Sequence, residues 1–301
     1  MLESELLEQI RALFSSSDSS LVVENGDDGA VYIPKGKQVV TTDVAVETVH
    51  FRCDWSSYFQ IGQKITAANL ADIYAMGGIP KYLLVALVLP TRHVHGALEL
   101  AKGILDEAKK VGATVIGGDL ARGENLSISI TAIGEVEKPF LRSGAKVGDR
   151  ILISSLPGAA AAGLELLSTG GEISGDLAKL VVSEYQAPTI EYQKYQGAIG
   201  KFNSAIDTSD GLLSECAHIS KASKVRFELK SELIRKSPLQ NLNPNKYFDW
   251  ILYGGEDHKL LGTCGVTLEG FIEIGNVVPG NGVFLDGTEI LTEGFEHRWP
   301  G

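Results

Sequence analysis

Basic side chains, long apolar runs and paired cysteines are all scarce in this 301-residue chain. Lys and Arg number 27 against 38 Asp and Glu, a formal net charge of −11. A nucleic-acid surface needs clustered basic residues, so no nucleic-acid partner is expected. No apolar stretch approaches the roughly 18 residues that a membrane helix requires, so no membrane association is expected. The three cysteines, Cys53, Cys216 and Cys264, lie far apart and form no CxxC, which argues against a disulfide scaffold or a zinc knuckle. They read as buried thiols. The usual nucleotide loops are missing too. There is no GxxxxGK[ST], no GxGxxG after a strand, no protein-kinase signature and no GxSxG nucleophile turn.

What the chain does contain is alternating secondary structure. The opening "MLESELLEQIRALF" has the apolar spacing of an amphipathic helix (Leu2, Leu6, Ile10, Leu13), and its acidic start is unlike a signal peptide. A cytoplasmic location is expected. Strands are predicted around "LVVENGDDGAVYIP" and "KQVVTTDVAVETVHF". A long helix is predicted over "YFQIGQKITAANLADIYAMGG", stopped by Gly77, Gly78 and Pro80. "KYLLVALVLP" reads as a buried strand. "HVH" (His93, His95) reads as the exposed start of a helix over 93–111, not as a metal site. A polar, turn-rich stretch after Pro139 marks a domain boundary, giving domains 1–140 and 141–301 of α/β class.

Acidic residues recur beside glycines: Asp27 and Asp28 in "NGDDGAV", Asp119 in "GGD", Asp207 and Asp210 in "DTSDG", Glu256 and Asp257 in "GGED". Asp beside Gly is ordinary turn chemistry, and "TSDG" would serve as a helix N-cap. Two others are harder to dismiss. Asp43 interrupts the apolar run of a strand, where Asp is depleted and an isolated buried charge is costly. Asp72 shares a helix face with Asn69 among apolar neighbours. Mg²⁺ takes oxygen ligands and bridges carboxylates to phosphates. Several such ions would let an acidic protein hold a polyphosphate.

In order along the chain, "GDDGAV", "TTDVAVETVHF", "ANLADIYAMGGIPKYLLVALVLP", "IGGDLARG", "LRSGAKVGD", "AIDTSDGL", "HISKAS", "YGGED" and the final "GFEH" resemble the thiamine-monophosphate kinase family. That family is grouped with aminoimidazole ribonucleotide synthetase, selenophosphate synthetase and a hydrogenase-maturation protein. The resemblance covers nearly the whole chain, and "VETVHF" and "GFEH" favour the thiamine branch. It implies two domains. The amino-terminal sheet completes a β-barrel across a homodimer, and the carboxy-terminal α/β domain packs beside it. It also implies transfer of the ATP γ-phosphate onto thiamine monophosphate, assisted by several Mg²⁺ ions. By the same resemblance Asp27, Asp28, Thr41, Thr42, Asp43, Asp72, Asp119, Asp207 and Asp210 hold metal. Gly118, Asp119, Arg142 and Ser209 seat ATP, and His50, Glu256 and Phe295 contact the thiamine phosphate. Asp43, Asp210 and Arg142 are the expected catalytic set.

The chain departs from the family pattern at Ala71, Leu120 and His258, in "LPGAAAAG" (156–163), and in "QAPTIEY" (186–192), which lacks two basic residues. An aromatic is also missing near Leu98–Ala101. These positions change phosphate and adenine contacts, but the aspartates are intact. Two other readings are therefore kept open. One is another ATP-dependent synthetase of the same superfamily with a different acceptor. The other is a nucleotide-binding protein without turnover.

Overall fold

A computed structural model describes residues 3–16 and 18–290. Cα packing divides the chain into two compact units, residues 1–74 with 78–137, and 75–77 with 138–301. Among the described residues no helix is long and apolar enough to cross a membrane.

The first unit runs α1 (Glu3–Leu13), β1 (Leu21–Val23), β2 (Val31–Tyr32), β3 (Lys37–Val46), α2 (Tyr58–Ala75), β4 (Ile79–Leu89), α3 (Ala97–Lys109), β5 (Thr114–Arg122) and β6 (Ser127–Val136). Its main sheet has the order β3-β6-β4-β5, with β4 and β5 parallel and the other pairs antiparallel. Strand alternation sorts the side chains of β3. Val39, Thr41, Asp43 and Ala45 face the α2 side, where Thr41 meets Asp72 of that helix. Val40 and Val44 point to the opposite side and are 60% and 54% exposed. Leu84 of β4 joins this uncovered face.

Helix α2 is apolar on most sides because it is the buried helix of the unit. Ile61, Ile65, Leu70, Ala71 and Ile73 are all buried. Its crossing with α3 is close enough to need bare backbone. A Cβ on Gly62 would lie 2.2 Å from the Leu100 carbonyl oxygen, and one on Gly103 would lie 2.0 Å from that of Phe59. Gly103 therefore sits mid-helix despite its poor helix propensity. Replacing Gly103 by Ala is expected to lower stability by about 1–3 kcal/mol, because the helices must separate. Urea denaturation checks this, and a neutral or stabilising effect would contradict the close crossing.

The second unit contains β7 (Arg150–Ile153), α4 (Ala159–Thr169), α5 (Gly175–Gln186), α6 (Tyr192–Ala198), β8 (Ser204–Asp207), α7 (Leu212–Ser223), β9 (Arg226–Leu229), α8 (Ser231–Ile234), α9 (Tyr247–Tyr253), β10 (Leu260–Cys264), β11 (Ile272–Val278), β12 (Gly282–Leu285) and β13 (Thr288–Glu289). The seven strands form one sheet in the order β13-β12-β9-β11-β7-β10-β8, antiparallel except for the β12–β9 pair. Ile151, Ile153, Phe227, Leu229 and Ile274 project from the sheet into a core shared with Leu212, Cys216 and Ile219 of α7. Both units are mixed α/β.

The carboxy end of β8 gathers several acidic residues. Asp207 is its last residue, and "TSDG" turns directly into α7. A second loop, 254–259, is laced to that turn. Glu256 N–H donates to the Ser209 carbonyl at 2.7 Å, His258 N–H to Thr208 O at 3.1 Å, and Thr208 N–H to Lys259 O at 2.9 Å. Gly255 permits this approach, since a Cβ there would lie 2.4 Å from Ser209 O. Glu256 and His258 take left-handed backbone conformations (φ 67° and 49°), a strain that the lacing holds in place.

Candidate functional site

The expected site residues fall into local groups, each within one unit. In the first unit, Asp27, Asp28, Gly118 and Asp119 line a single cavity of about 560 Å³. Asn25 and Gly26 beside the acidic pair, and Arg11 of α1, share its wall. Asp27 turns its carboxylate back to accept from the Asp28 N–H at 3.0 Å. Gly118 is bare for a structural reason, since a Cβ there would sit 1.9 Å from Val85 O.

Thr41, Asp43 and Asp72 form a second group outside that cavity lining. The Thr41 hydroxyl donates to Asp72 Oδ2 at 2.7 Å, and Asp43 lies one alternation further along the same face of β3. Thr42 faces the other way. Its hydroxyl donates to Ile130 O at 3.1 Å and accepts from Thr131 at 3.0 Å. His50 lies beyond the end of β3, in the turn after Val46, and its Nδ1 accepts from the Val46 N–H at 3.1 Å. Neighbouring Asn69 is fully buried on α2 and donates to Ile65 O at 2.9 Å. Its Oδ1 has no hydrogen-bond partner among the described residues.

The second unit gathers Asp207, Ser209, Asp210 and Glu256 at the laced loops, with Arg142 beside α7. Burial, then the charge of Asp207, raises the Asp210 carboxyl above its usual range. Glu215, one turn into α7, completes this group, and nothing in the sequence reading had singled it out. Burial first, then Asp207 and Asp210, push its carboxyl up to about 8, while Arg142 works in the opposite direction. Its spacing from Asp210 offered one clue, because a residue in the first turn of a helix faces the residue that precedes the helix. Here Glu215 Oε1 accepts from the Asp210 N–H at 3.4 Å. Burial first, and then mutual repulsion, raises the proton affinity of these carboxylates, a strain that a bound cation would relieve. The all-oxygen donor set suits Mg²⁺.

The burial of Glu215 beside two other carboxylates makes a pH prediction. The folded-state pKa of Glu215 lies above its unfolded value of 4.5. Its contribution to stability is therefore fully present below pH 4.5 and is lost as pH rises through about 8. Metal-free wild-type protein should lose on the order of 3 kcal/mol more than Glu215→Gln between about pH 5 and pH 8.5. Parallel urea titrations of the two proteins check this, and equal slopes would refute the buried repulsion.

A scan against family models matches residues 26–136 to the AIR synthase related protein, N-terminal domain. Among curated proteins, the thiamine-monophosphate kinase of Bacillus subtilis (strain 168) is 37% identical over 258 residues, covering 81% of this chain and 78% of its own length. The chain belongs to the thiamine-monophosphate kinase family. Solved structures of thiamine-monophosphate kinases agree. That from Stenotrophomonas maltophilia K279a superposes with a TM-score of 0.86 at 30% identity, covering 96% of this chain and 98% of that one. AaThiL complexed with AMPPCP and TMP gives 0.82 at 30% identity, covering 98% and 97%.

The departures from the kinase family pattern have local structural consequences. His258 is buried, and its Nδ1 lies 3.0 Å from Asp207 Oδ2, so it rests against one of the expected metal aspartates. The "LPGAAAAG" stretch has no local side chain to cap α4. Asp257 does this from 97–99 residues away, accepting from Gly158 N–H at 2.7 Å and Ala160 N–H at 3.2 Å. In "QAPTIEY", Glu184 accepts from Thr189 N–H at 3.1 Å and Lys259 donates to Thr189 O at 2.9 Å. His93 corrects an expectation. It is buried rather than at an exposed helix start, because a 3₁₀ turn over Thr91–Gly96 carries it inward against Tyr58 and Glu47. Phe295 lies outside the described residues.

Proposed function

We propose that this protein transfers the γ-phosphoryl group of ATP to thiamine monophosphate, giving thiamine diphosphate and ADP. The reading is carried by the likeness to AaThiL complexed with AMPPCP and TMP, which extends over 98% of the chain. The acceptor is itself a phosphate oxygen, so no strong general base is needed. Positioning and charge neutralisation supply the catalysis.

Each group has a part in this scheme. Thr41, Asp43 and Asp72 in the first unit, and Asp207 and Asp210 in the second, would hold Mg²⁺, with Asp27, Asp28, Asp119 and the Thr42 position completing the sets. Bound Mg²⁺ would neutralise the polyphosphate and polarise the transferred phosphoryl group. Arg142 adds a fixed cation that also keeps the Asp210–Glu215 cluster from excessive negative potential. Gly118 offers bare backbone and Ser209 a hydroxyl to the nucleotide. His50, Glu256 and Phe295 would contact the thiamine phosphate. Residues 1–140 would bind ATP and Mg²⁺ and form the dimer, and residues 141–301 would form the carboxy-terminal α/β domain.

The exposed Val40 and Val44 on one face of the first unit's sheet support a homodimer whose two sheets close into a barrel. A single assay tests the function. The chain incubated with ATP, Mg²⁺ and thiamine monophosphate should yield thiamine diphosphate. Nucleotide binding with no product would favour the non-catalytic reading. ADP formation only with a different small molecule would favour a cousin enzyme.

A further inference from the structure

The first unit holds a polar cluster that the kinase reading does not use. Glu47 follows β3, Cys53 lies in the next turn, and His93 comes from the 3₁₀ turn before α3. One ligand atom from each of the three lies within 4.8 Å of the other two. His93 is buried, and Glu47 and Cys53 are half-buried. The His93 Nε2 sits 3.1 Å from Glu47 Oε1 and 3.2 Å from Oε2.

We propose that Glu47, Cys53 and His93 form a binding site for one zinc-class divalent cation. Thiolate, imidazole and carboxylate are the three protein ligand types of zinc, and the sulfur disfavours Mg²⁺, which takes oxygen donors. Tetrahedral bonds of about 2.0–2.3 Å place ligand atoms roughly 3.3–3.8 Å apart. The Glu47–His93 pair, at 3.1 and 3.2 Å, is within about 0.2 Å of that spacing, and any wider pair needs to close by no more than about 1.3 Å. Three protein ligands leave the fourth position to water.

The surroundings orient these donors. Arg92 Nη2 donates to Glu47 Oε2 at 2.9 Å, fixing the carboxylate while leaving Oε1 toward His93. The Tyr58 hydroxyl lies 2.7 Å from His93 Nδ1 and 3.3 Å from His95 Nε2. A phenol both donates and accepts. It can therefore accept from a protonated Nδ1 while turning its own hydrogen to His95, which frees the Nε2 lone pair for the metal. Binding releases the thiol proton of Cys53 to solvent and moves the neutral imidazole proton from Nε2 to Nδ1, so protons balance. The ion would staple the 47–53 turn, which carries His50, to the turn before α3. The spacing of 6 and 40 residues hides this site from motif searches.

The test uses the full chain, stripped by chelator and titrated with Co²⁺ in excess Mg²⁺, so that the oxygen-lined groups are already filled. One equivalent should bind with a thiolate-to-cobalt charge-transfer band, and Zn²⁺ should displace it. Cys53→Ser should lose the band, while Cys216→Ser and Cys264→Ser keep it. Tyr58→Phe should bind about tenfold more weakly. Glu47→Gln, which preserves side-chain shape should Cys53→Ser fold poorly, should weaken binding by at least about tenfold. No charge-transfer band in the wild type, or a band that survives Cys53→Ser, overturns the proposal. Neither result bears on whether the chain phosphorylates thiamine monophosphate.

Discussion

Asp210→Asn should form thiamine diphosphate about 10²–10³-fold more slowly than wild type, and Asp43→Asn should do the same. Each substitution keeps the size and one oxygen of the side chain but removes the charge that would hold a divalent ion. The stability effect should be small. Burial, and then the neighbouring charge of Asp207, already raises the Asp210 carboxyl pKa, so removing this charge relieves the folded state. Asp43 is half-buried and borders Thr41 and Asp72 on the α2 side of the sheet. Thermal midpoints of the metal-free variants should stay within about 2 °C of wild type, matching a ΔΔG of about 0.5 kcal/mol or less. Coupled-assay rates and calorimetry on the same preparations separate the two effects. Near-normal rates in both variants would remove the metal assignment. A large loss of stability in parallel with rate would make the aspartates structural instead.

The largest stability effect is expected in the second unit. Phe227 on β9 is fully buried at the centre of the core that α7 and the seven-stranded sheet share. Phe227→Ala should cost about 3–5 kcal/mol, through lost apolar burial and the cavity left behind. At two to four degrees per kcal/mol the unfolding midpoint should drop by roughly 10 °C. Urea denaturation followed by tryptophan fluorescence provides the measurement, because Trp250 belongs to the same core. A loss of less than about 1 kcal/mol would mean that the core collapses around the vacancy.

Where information was local, the sequence could be read. The Gly77–Gly78–Pro80 stop placed the end of α2, which closes at Ala75. Asp43 stood out because a carboxylate inside an apolar strand needs a physical reason. Family order in the short motifs then connected these fragments. What could not be read depends on contacts distant in sequence. His93 looked like an exposed helix start, yet its partners Tyr58 and Glu47 are 35 and 46 residues away. Asp257 looked like part of a ligand motif, but both its oxygens serve the amino end of α4. Glu215 carries no motif, and its raised proton affinity arises only when folding buries it on α7 beside Asp207 and Asp210. The left-handed conformations at Glu256 and His258 were equally hidden, since the hydrogen bonds that hold them come from the distant Thr208–Ser209 turn.

The proposed function depends on Asp43 and Asp72, and Asp207 and Asp210, holding divalent ions that screen the phosphates of ATP. Anomalous diffraction from a crystal grown with Mn²⁺ and AMPPCP tests this directly. The account predicts manganese peaks bonded both to the nucleotide phosphates and to carboxylates of the Asp43–Asp72 and Asp207–Asp210 groups. A nucleotide bound with its phosphates away from these carboxylates, or with no manganese beside them, would contradict it.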